Sequence, residues 1–377
     1  STLTEMTDLF KINGMGSGDM PGFLSTGVGG LNAGLELKKD QFVQADYLYN
    51  HTEASSGKTF IQRTEYIEGE SIDSKSRSSS KNTGKGHNLN FHYRDRSGSL
   101  SSFSLLGYVS KNLQDGSGIS SLEKYNAQGQ LDLESISGTE HSNENKSGDL
   151  SLQYTKRFNE KSKRNISLYG KVDASERDTK RLNNQINRYA VSDPDLTDEV
   201  TEQVSREQNI KGRNMNLLLS YTEPFDENHY LEIKGNWRIN QQTDNTNQAK
   251  YVDEVLQNPL IYELQYKQTG LDGGIYYQMD KEKLTLNLGG SLNSQIQRFG
   301  LSDEEEQENR FTNFLPRLRL DYRPKKGSTL KLNAGKSLRL PSLQQLNPVV
   351  NDFNSLFIYQ GNPELKPENH YTASVMY

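Results

Sequence analysis

Short runs in which every second residue is apolar constrain this chain most. Leu31, Ala33, Leu35 and Leu37 form one such run, and Val43, Ala45, Tyr47 and Tyr49 form the next. Leu89, Phe91 and Tyr93 repeat the pattern, as do Leu150, Leu152 and Tyr154, then Ile166, Leu168, Gly170 and Val172. Met215, Leu217, Leu219 and Tyr221 continue it, followed by Leu231, Ile233, Gly235, Trp237 and Ile239. Leu284, Leu286, Leu288, Gly290 and Leu292 come next, then Leu318, Leu320 and Tyr322. Period-two alternation places one parity on one face of a strand. The intervening residues are mostly Asn, Ser, Thr, Gln, Lys, Arg and Glu. Each strand therefore has one greasy face and one wet face.

The runs flank six short polar turns. These are Lys38-Lys39-Asp40, Asp95-Arg96-Ser97-Gly98, Phe158-Asn159-Glu160-Lys161, Pro224-Phe225-Asp226-Glu227, Asp280-Lys281-Glu282 and Pro324-Lys325-Lys326-Gly327. Two strands per turn give about twelve, and Tyr371–Tyr377 begins a thirteenth. Between the hairpins lie polar stretches at 52–84, 111–147, 176–211, 242–270, 299–309 and 340–369. Such long loops do not suit a compact soluble domain. They suit a barrel with short turns on one rim and long loops on the other. Some loops are expected to continue as strands above the membrane, at Thr59-Phe60-Ile61 and at Leu260-Ile261-Tyr262-Glu263-Leu264.

Composition agrees. Only 32% of the 377 residues are hydrophobic, and 20 Tyr outnumber 13 Phe and 1 Trp. A barrel with a wet lumen needs apolar side chains on the outward half of each strand alone. Tyrosines at the turn-proximal ends of the greasy faces, Tyr93, Tyr154, Tyr221 and Tyr322, resemble an interfacial girdle. No apolar run approaches the ~18–20 residues of a membrane helix. A net charge of −5 gives no basic surface for nucleic acid. The absence of cysteine removes disulfides, zinc–thiolate sites and thiol nucleophiles. Ser1 opens the chain with neither Met nor signal peptide, which points to an upstream portion that has been removed.

The last forty-odd residues are the most specific. Alternation at Leu330, Leu332 and Ala334 runs into Arg339-Leu340-Pro341-Ser342. After a loop comes Gly361-Asn362-Pro363-Glu364-Leu365-Lys366-Pro367-Glu368, then alternation at Tyr371, Ala373, Val375 and Tyr377. Both halves, in this order between strands, closely resemble the barrel of TonB-dependent outer-membrane receptors. Residues 83–110 also resemble the outer membrane protein β-barrel family of the Bacteroidetes group. The resemblance implies an all-β fold, a transmembrane antiparallel β-barrel in a Gram-negative outer membrane. It covers the barrel portion alone, since neither an energy-coupling box nor a compact α/β plug is legible. Residues 1–26 then read as an N-terminal extension or incoming loop. Residues 27–377 read as a barrel segment whose C-terminal strands are missing.

What the resemblance implies is capture and import of a nutrient: siderophore, cobalamin, glycan or peptide. The implied partners are outer-membrane lipid, a plug domain, a TonB-type energy-coupling system and the nutrient ligand. No cofactor, metal, catalytic residue or nucleic acid is implied. The motif residues Arg339, Pro341, Ser342, Gly361, Asn362, Pro363, Leu365, Pro367 and Glu368 carry over as backbone-shaping positions, with plug or ligand contact as the sharper role. Proline and glycine at strand exits set backbone geometry. Arg339 is the exception, because a lumen-facing arginine could pair with plug carboxylates. The alternatives are a plug-less barrel acting as a passive pore or surface-binding protein, a soluble secreted β protein and an outer-membrane enzyme.

Other motifs have plain readings. Gly14-Met15-Gly16-Ser17-Gly18 and Gly27-Val28-Gly29-Gly30 lack the register and Lys-Ser/Thr ending of a phosphate loop. His51, His87, His92, His141, His229 and His370 are scattered, without metal-site spacing. Asp193, Asp195 and Asp198 could hold calcium but lack the glycine and distal glutamate of an EF-hand loop. The acidic run Ser302–Glu308 reads as a solvated loop face, or as a cation trap at the mouth. Tyr189, Phe353, Phe357 and Tyr359 either stack on a substrate or pack their own loops.

Overall fold

The computed structural model describes residues 22–67, 70–159, 164–190, 197–257, 259–301, 306–325, 327–354 and 356–377. The strands are β1 (Gly22–Lys38), β2 (Gln41–Ser56), β3 (Thr59–Ile67), β4 (Glu70–Asp95), β5 (Ser101–Tyr125), β6 (Leu131–Arg157), β7 (Asn165–Ala190) and β8 (Thr197–Pro224). They continue as β9 (His229–Val252), β10 (Val255–Leu256), β11 (Leu260–Lys281), β12 (Leu284–Leu301), β13 (Gln307–Tyr322), β14 (Leu330–Arg339) and β15 (Glu368–Met376). One helical turn, α1 (Leu343–Leu346), lies between β14 and β15. Among the described residues no helix is long and apolar enough to cross a membrane.

All fifteen strands form one sheet. Thirteen follow a continuous antiparallel path in chain order, while β3 and β10 sit off it, paired with β4 and β9. Along this path β1 and β15 are the ends and do not pair with each other. All six sequence-read turns fall between strands that meet at one rim, with Glu160, Lys161 and Lys326 outside the described residues. The first is a two-residue hairpin: Lys38 pairs with Gln41, and Asp40 adopts φ 65°, which a short polar side chain tolerates. Strand β1 begins at Gly22, so Gly27–Gly30 are extended chain; residues 14–18 lie outside the described residues.

The greasy parity faces outward. Leu271, Leu288 and Leu292 are 59%, 50% and 56% exposed, while Gln185, Asn187 and Gln297 on the other parity are 2%, 0% and 0% exposed. A soluble sandwich would reverse this order. Greasy positions sit opposite one another across strands: Leu105 faces Leu152, Leu217 faces Trp237 and Leu288 faces Leu318. In β7 the apolar parity runs from Ile166 to Ala174 and then turns to Glu176 and Asp178. That length matches the ~9–11 residues of a tilted membrane strand.

Apart from 340–369, the polar stretches are mostly not the long loops that the sequence reading expects. Most of 111–147, 176–211 and 242–270 is strand. Strand β8 has 28 residues, more than twice what a bilayer needs. The hairpin tip between β5 and β6 takes only residues 126–130. There Asn126 Oδ1 accepts from the Gln128 and Gln130 amides at 3.1 and 2.9 Å, and Gly129 adopts φ 74°. Apolar alternation stops where lipid stops, but the backbone ladder does not. Above the membrane it is lined by polar cross-strand pairs, such as Gln185 Nε2 to Ser135 Oγ at 3.1 Å and Lys180 Nζ to Glu207 at 2.9 Å.

Adjacent leucines test the facing. Leu217 has the outward parity and Leu218 the inward parity. Leu217→Arg should cost about 2–4 kcal/mol of folding free energy in phospholipid vesicles, whereas Leu218→Arg should cost much less. Equal costs in urea titrations of the two variants would contradict the assignment.

Candidate functional site: the crossing between β14 and β15

The chain leaves β14 at Arg339 and re-enters the sheet at Glu368, and its 28-residue path between them turns inward. Pro341 has no amide hydrogen and its fixed φ ends the strand pairing. Ser342 then caps α1: its Oγ accepts from the Gln345 amide, and Gln345 Oε1 accepts from the Ser342 amide at 3.0 Å. This reciprocal capping box holds a turn far too short to persist alone. The turn lays Leu346, 0% exposed, against Tyr266 of β11 and Phe299 of β12, with Leu343 and Leu365 beside it.

The two motif halves are zipped together. The Gly361 amide donates to Asn347 O at 2.8 Å and the Asn362 amide to Gln345 O at 2.7 Å. A Cβ on Gly361 would lie 2.6 Å from both Asn347 O and Gln345 O, so no other residue fits without moving the backbone. Asn362 Oδ1 accepts from the Glu364 amide at 2.9 Å, an Asx turn that directs Leu365 back to the cluster. Pro363 and Pro367 stiffen this return. Arg339 lies opposite Glu368 in the ladder and is exposed; Glu368 pairs with His370 at 3.3 Å.

The rest of the crossing is pinned to the inner wall. Gln297 Nε2 donates to Tyr266 Oη at 2.9 Å and to Pro341 O at 3.4 Å. Gln248 Nε2 donates to Asp352 at 2.7 Å, and Lys250 lies 3.4 Å from Glu202 and 3.7 Å from Asp352. Arg206 donates to Asn351 Oδ1 at 2.9 Å and covers the Phe353 ring at 4.9 Å. Burial lowers the Arg206 guanidinium pKa from its ordinary value, against the pull of Asp352. Burial also pushes the Tyr266 phenol up. Tyr359 closes a small ladder with Asn351 and accepts from Gln344 at 3.3 Å. Phe353 packs against Arg206 of the wall and Tyr359 bonds within the crossing while 48% exposed; Phe357 is 67% and Tyr189 39% exposed.

Beneath Pro341 and Leu343 the inner wall leaves a cavity of about 550 Å³. Arg238, Asp272, Gln268, Asn293 and Gln295 line it. Arg238 meets Asp272 at 2.6 Å, and Asn293 Nδ2 donates to the same carboxylate. Asn293 Oδ1 and Gln297 Oε1 are buried without a partner among the described residues. A polar, hydrogen-bonding guest suits such a lining. Sequence reasoning missed Arg238 and Asp272. The signal was present: each is a charge wedged between apolar neighbours, Trp237 and Ile239 or Leu271 and Gly273, at the top of a membrane run. Arg206 and Asp352, 146 positions apart in sequence, carried no signal at all.

The remaining candidates do not converge. Among the described residues no three His, Asp or Glu side chains come together as a metal site. His87 stacks near Tyr49, His229 lies against Tyr277 and His92 is 3.3 Å from Ser104. Asp193, Asp195 and 302–305 lie outside the described residues. From the same acidic run, Glu308 is clasped by Arg298 at 2.6 Å and by Arg310. Hydrogen bonds from Arg310 and then Arg298 hold its carboxyl below the usual range.

The sequence profile of the outer membrane protein beta-barrel family matches residues 167–377, more than half of the chain. The chain belongs to that family. Its members' barrels place this protein in the bacterial outer membrane, with the apolar stripe in lipid. No curated protein matches the chain. Among solved structures, the chain is similar to the ferric citrate transporter FecA in its unliganded form, at 9% identity and a TM-score of 0.41. That match covers 85% of this chain and 45% of FecA, so the chain spans less than half of that protein. It is also similar to the translocator domain of the autotransporter NalP from Neisseria meningitidis, at 10% identity and a TM-score of 0.26, over 89% of this chain and 86% of that one.

Leu346→Ala should release the crossing, at about 2–5 kcal/mol for a fully buried leucine. Hydrogen exchange of 343–365 should rise while exchange in β8 and β9 stays slow. Phe357→Ala, at an exposed site, should leave both unchanged.

Proposed function

We propose that the chain is the barrel portion of an outer-membrane TonB-dependent receptor that binds a scarce nutrient and passes it inward. The reading rests on one observation above others: the crossing folds into the lumen and roofs a polar cavity, instead of standing free in solvent. A roof pinned by Gln297, Gln248 and Arg206 narrows the lumen on that side. The motif residues Arg339, Pro341, Ser342, Gly361, Asn362, Pro363, Leu365, Pro367 and Glu368 serve to shape and hold this roof. Arg238, Asp272 and Asn293 are the groups beneath it that meet the guest. The chemistry is binding and gated passage, with no covalent step and no cofactor. A plug domain and a TonB-type energy-coupling system are the partners in the parent protein.

The test uses the full-length protein. Purified in detergent, it is titrated with a ferric siderophore, cobalamin, an oligosaccharide and a peptide. One class should bind, and the double variant Arg238→Ala, Asp272→Ala should weaken it on the order of 30-fold or more, as for a desolvated polar contact. Uptake of that ligand by cells should stop when a protonophore collapses the inner-membrane gradient. Binding with protonophore-insensitive uptake would identify a passive pore instead, and no binding by any class would remove the receptor reading.

A further inference from the structure

We propose that the outer wall at β5–β8 carries a specific site for a lipid with an anionic phosphate headgroup. This goes beyond the transport reading, because it concerns the opposite face of the wall. Its starting point is a clash of like charges. Lys111 of β5 and Lys146 of β6 sit directly opposite each other on the outward parity. Like charges so placed repel. A single carboxylate serves both: Glu144 accepts from Lys111 at 2.8 Å and from Lys146 at 3.1 Å. Arg213 of β8 is exposed on the same face and has no carboxylate partner among the described residues. The neighbouring Lys211 is already matched by Glu176 at 3.3 Å. Glu176 lies opposite Lys146 and Asp178 opposite Glu144, so on this face four cations, Lys111, Lys146, Lys211 and Arg213, meet three carboxylates, and Arg213 is the one left over.

Their height is the second observation. Lys111 comes two residues after Val109, Lys146 two before Gly148, and Arg213 two before Met215. Each is thus the first charge beyond its strand's apolar run, at the level where headgroups meet hydrocarbon. Basic side chains at that level favour anionic headgroups.

Directly below them the outer wall holds an apolar groove of about 770 Å³. Leu89, Val109 and Leu150 border it on one side and Val172, Met215 and Ile239 on the other. Gly107 and Gly148 form its floor. Neither glycine has a positive φ. A Cβ on Gly148 would meet nothing nearer than Tyr108 O at 3.4 Å, and one on Gly107 nothing nearer than Leu150 Cδ1 at 3.7 Å. The backbone could therefore carry side chains at both positions. Their absence leaves room for an acyl chain, and Lys111, Lys146 and Arg213 take the phosphate above it.

The experiment measures lipid retention by full-length protein in detergent, using native mass spectrometry. The probes are short-chain phosphatidic acid, diacylglycerol of the same chain length and inorganic phosphate. Phosphatidic acid should bind more tightly than either of the others. The variant Lys111→Ala, Lys146→Ala, Arg213→Ala should weaken it on the order of tenfold to a hundredfold. Gly148→Leu fills the groove with only an ordinary contact between its Cβ and Tyr108 O at 3.4 Å and should weaken it too, while the pair Lys111→Arg, Lys146→Arg should retain it. Equal binding by the triple variant, or diacylglycerol binding as tightly as phosphatidic acid, would overturn the site. Inorganic phosphate competing as well as the lipid would overturn the acyl groove.

Discussion

The backbone ladder is the constraint on which everything else depends. Hydrocarbon supplies no hydrogen-bond partners, so every amide and carbonyl at membrane depth must be matched by a neighbouring strand. Among the described residues, eleven strands of the path have a partner on both sides, in sequence order and without a crossover, and β1 and β15 have one each. Only then can side chains alternate freely between lipid and lumen. The ladder also explains the height of the walls. Once β7 and β8 are in register from Asn165 and Thr222 upward, continuing to Ala190 and Thr197 adds a bond per residue with no new loop to close.

Above the membrane the walls are held by many weak polar pairs. Arg188 bridges Glu134 and Glu199 across three strands, and Glu308 joins Arg298 and Arg310. An exposed pair of this kind contributes only ~0–1 kcal/mol. Its larger effect is on register, because a one-residue slip would invert both faces at once. The polar tips are thus specified by pairing, where the membrane band is specified by greasiness.

The inward crossing is a different kind of structure within the same wall. It rests on a very small dry cluster, Leu346 with Tyr266 and Phe299, set in a wall of amides and carboxylates. A loop with so little apolar contact stays in place only if its polar groups are matched as well. Gly361 permits the close approach, Ser342 caps the turn, and Arg206 and Gln248 tie down Asn351 and Asp352. Ser342 and Gly361 thus shape the backbone at the two ends of one crossing.

The stripes Leu284–Leu292 and Met215–Tyr221, with their turns, were enough to read an outer-membrane β-barrel wall, its outward face and about the thirteen strands of its continuous path. Period two is a local property, and lipid contact writes it directly into neighbouring residues. The motif ends were legible for a similar reason, since proline and glycine mark where a backbone must stop or bend. Nothing local marked the polar walls. Residues 176–211 look like a loop because a strand with water on both faces needs no apolar alternation, and only its partner strands make it extended. The roof contacts, Arg206 with Asn351 and Gln297 with Pro341, were equally hidden. They join distant segments through single polar side chains, whose partners are chosen by the curvature of the finished wall and by no pattern along the chain.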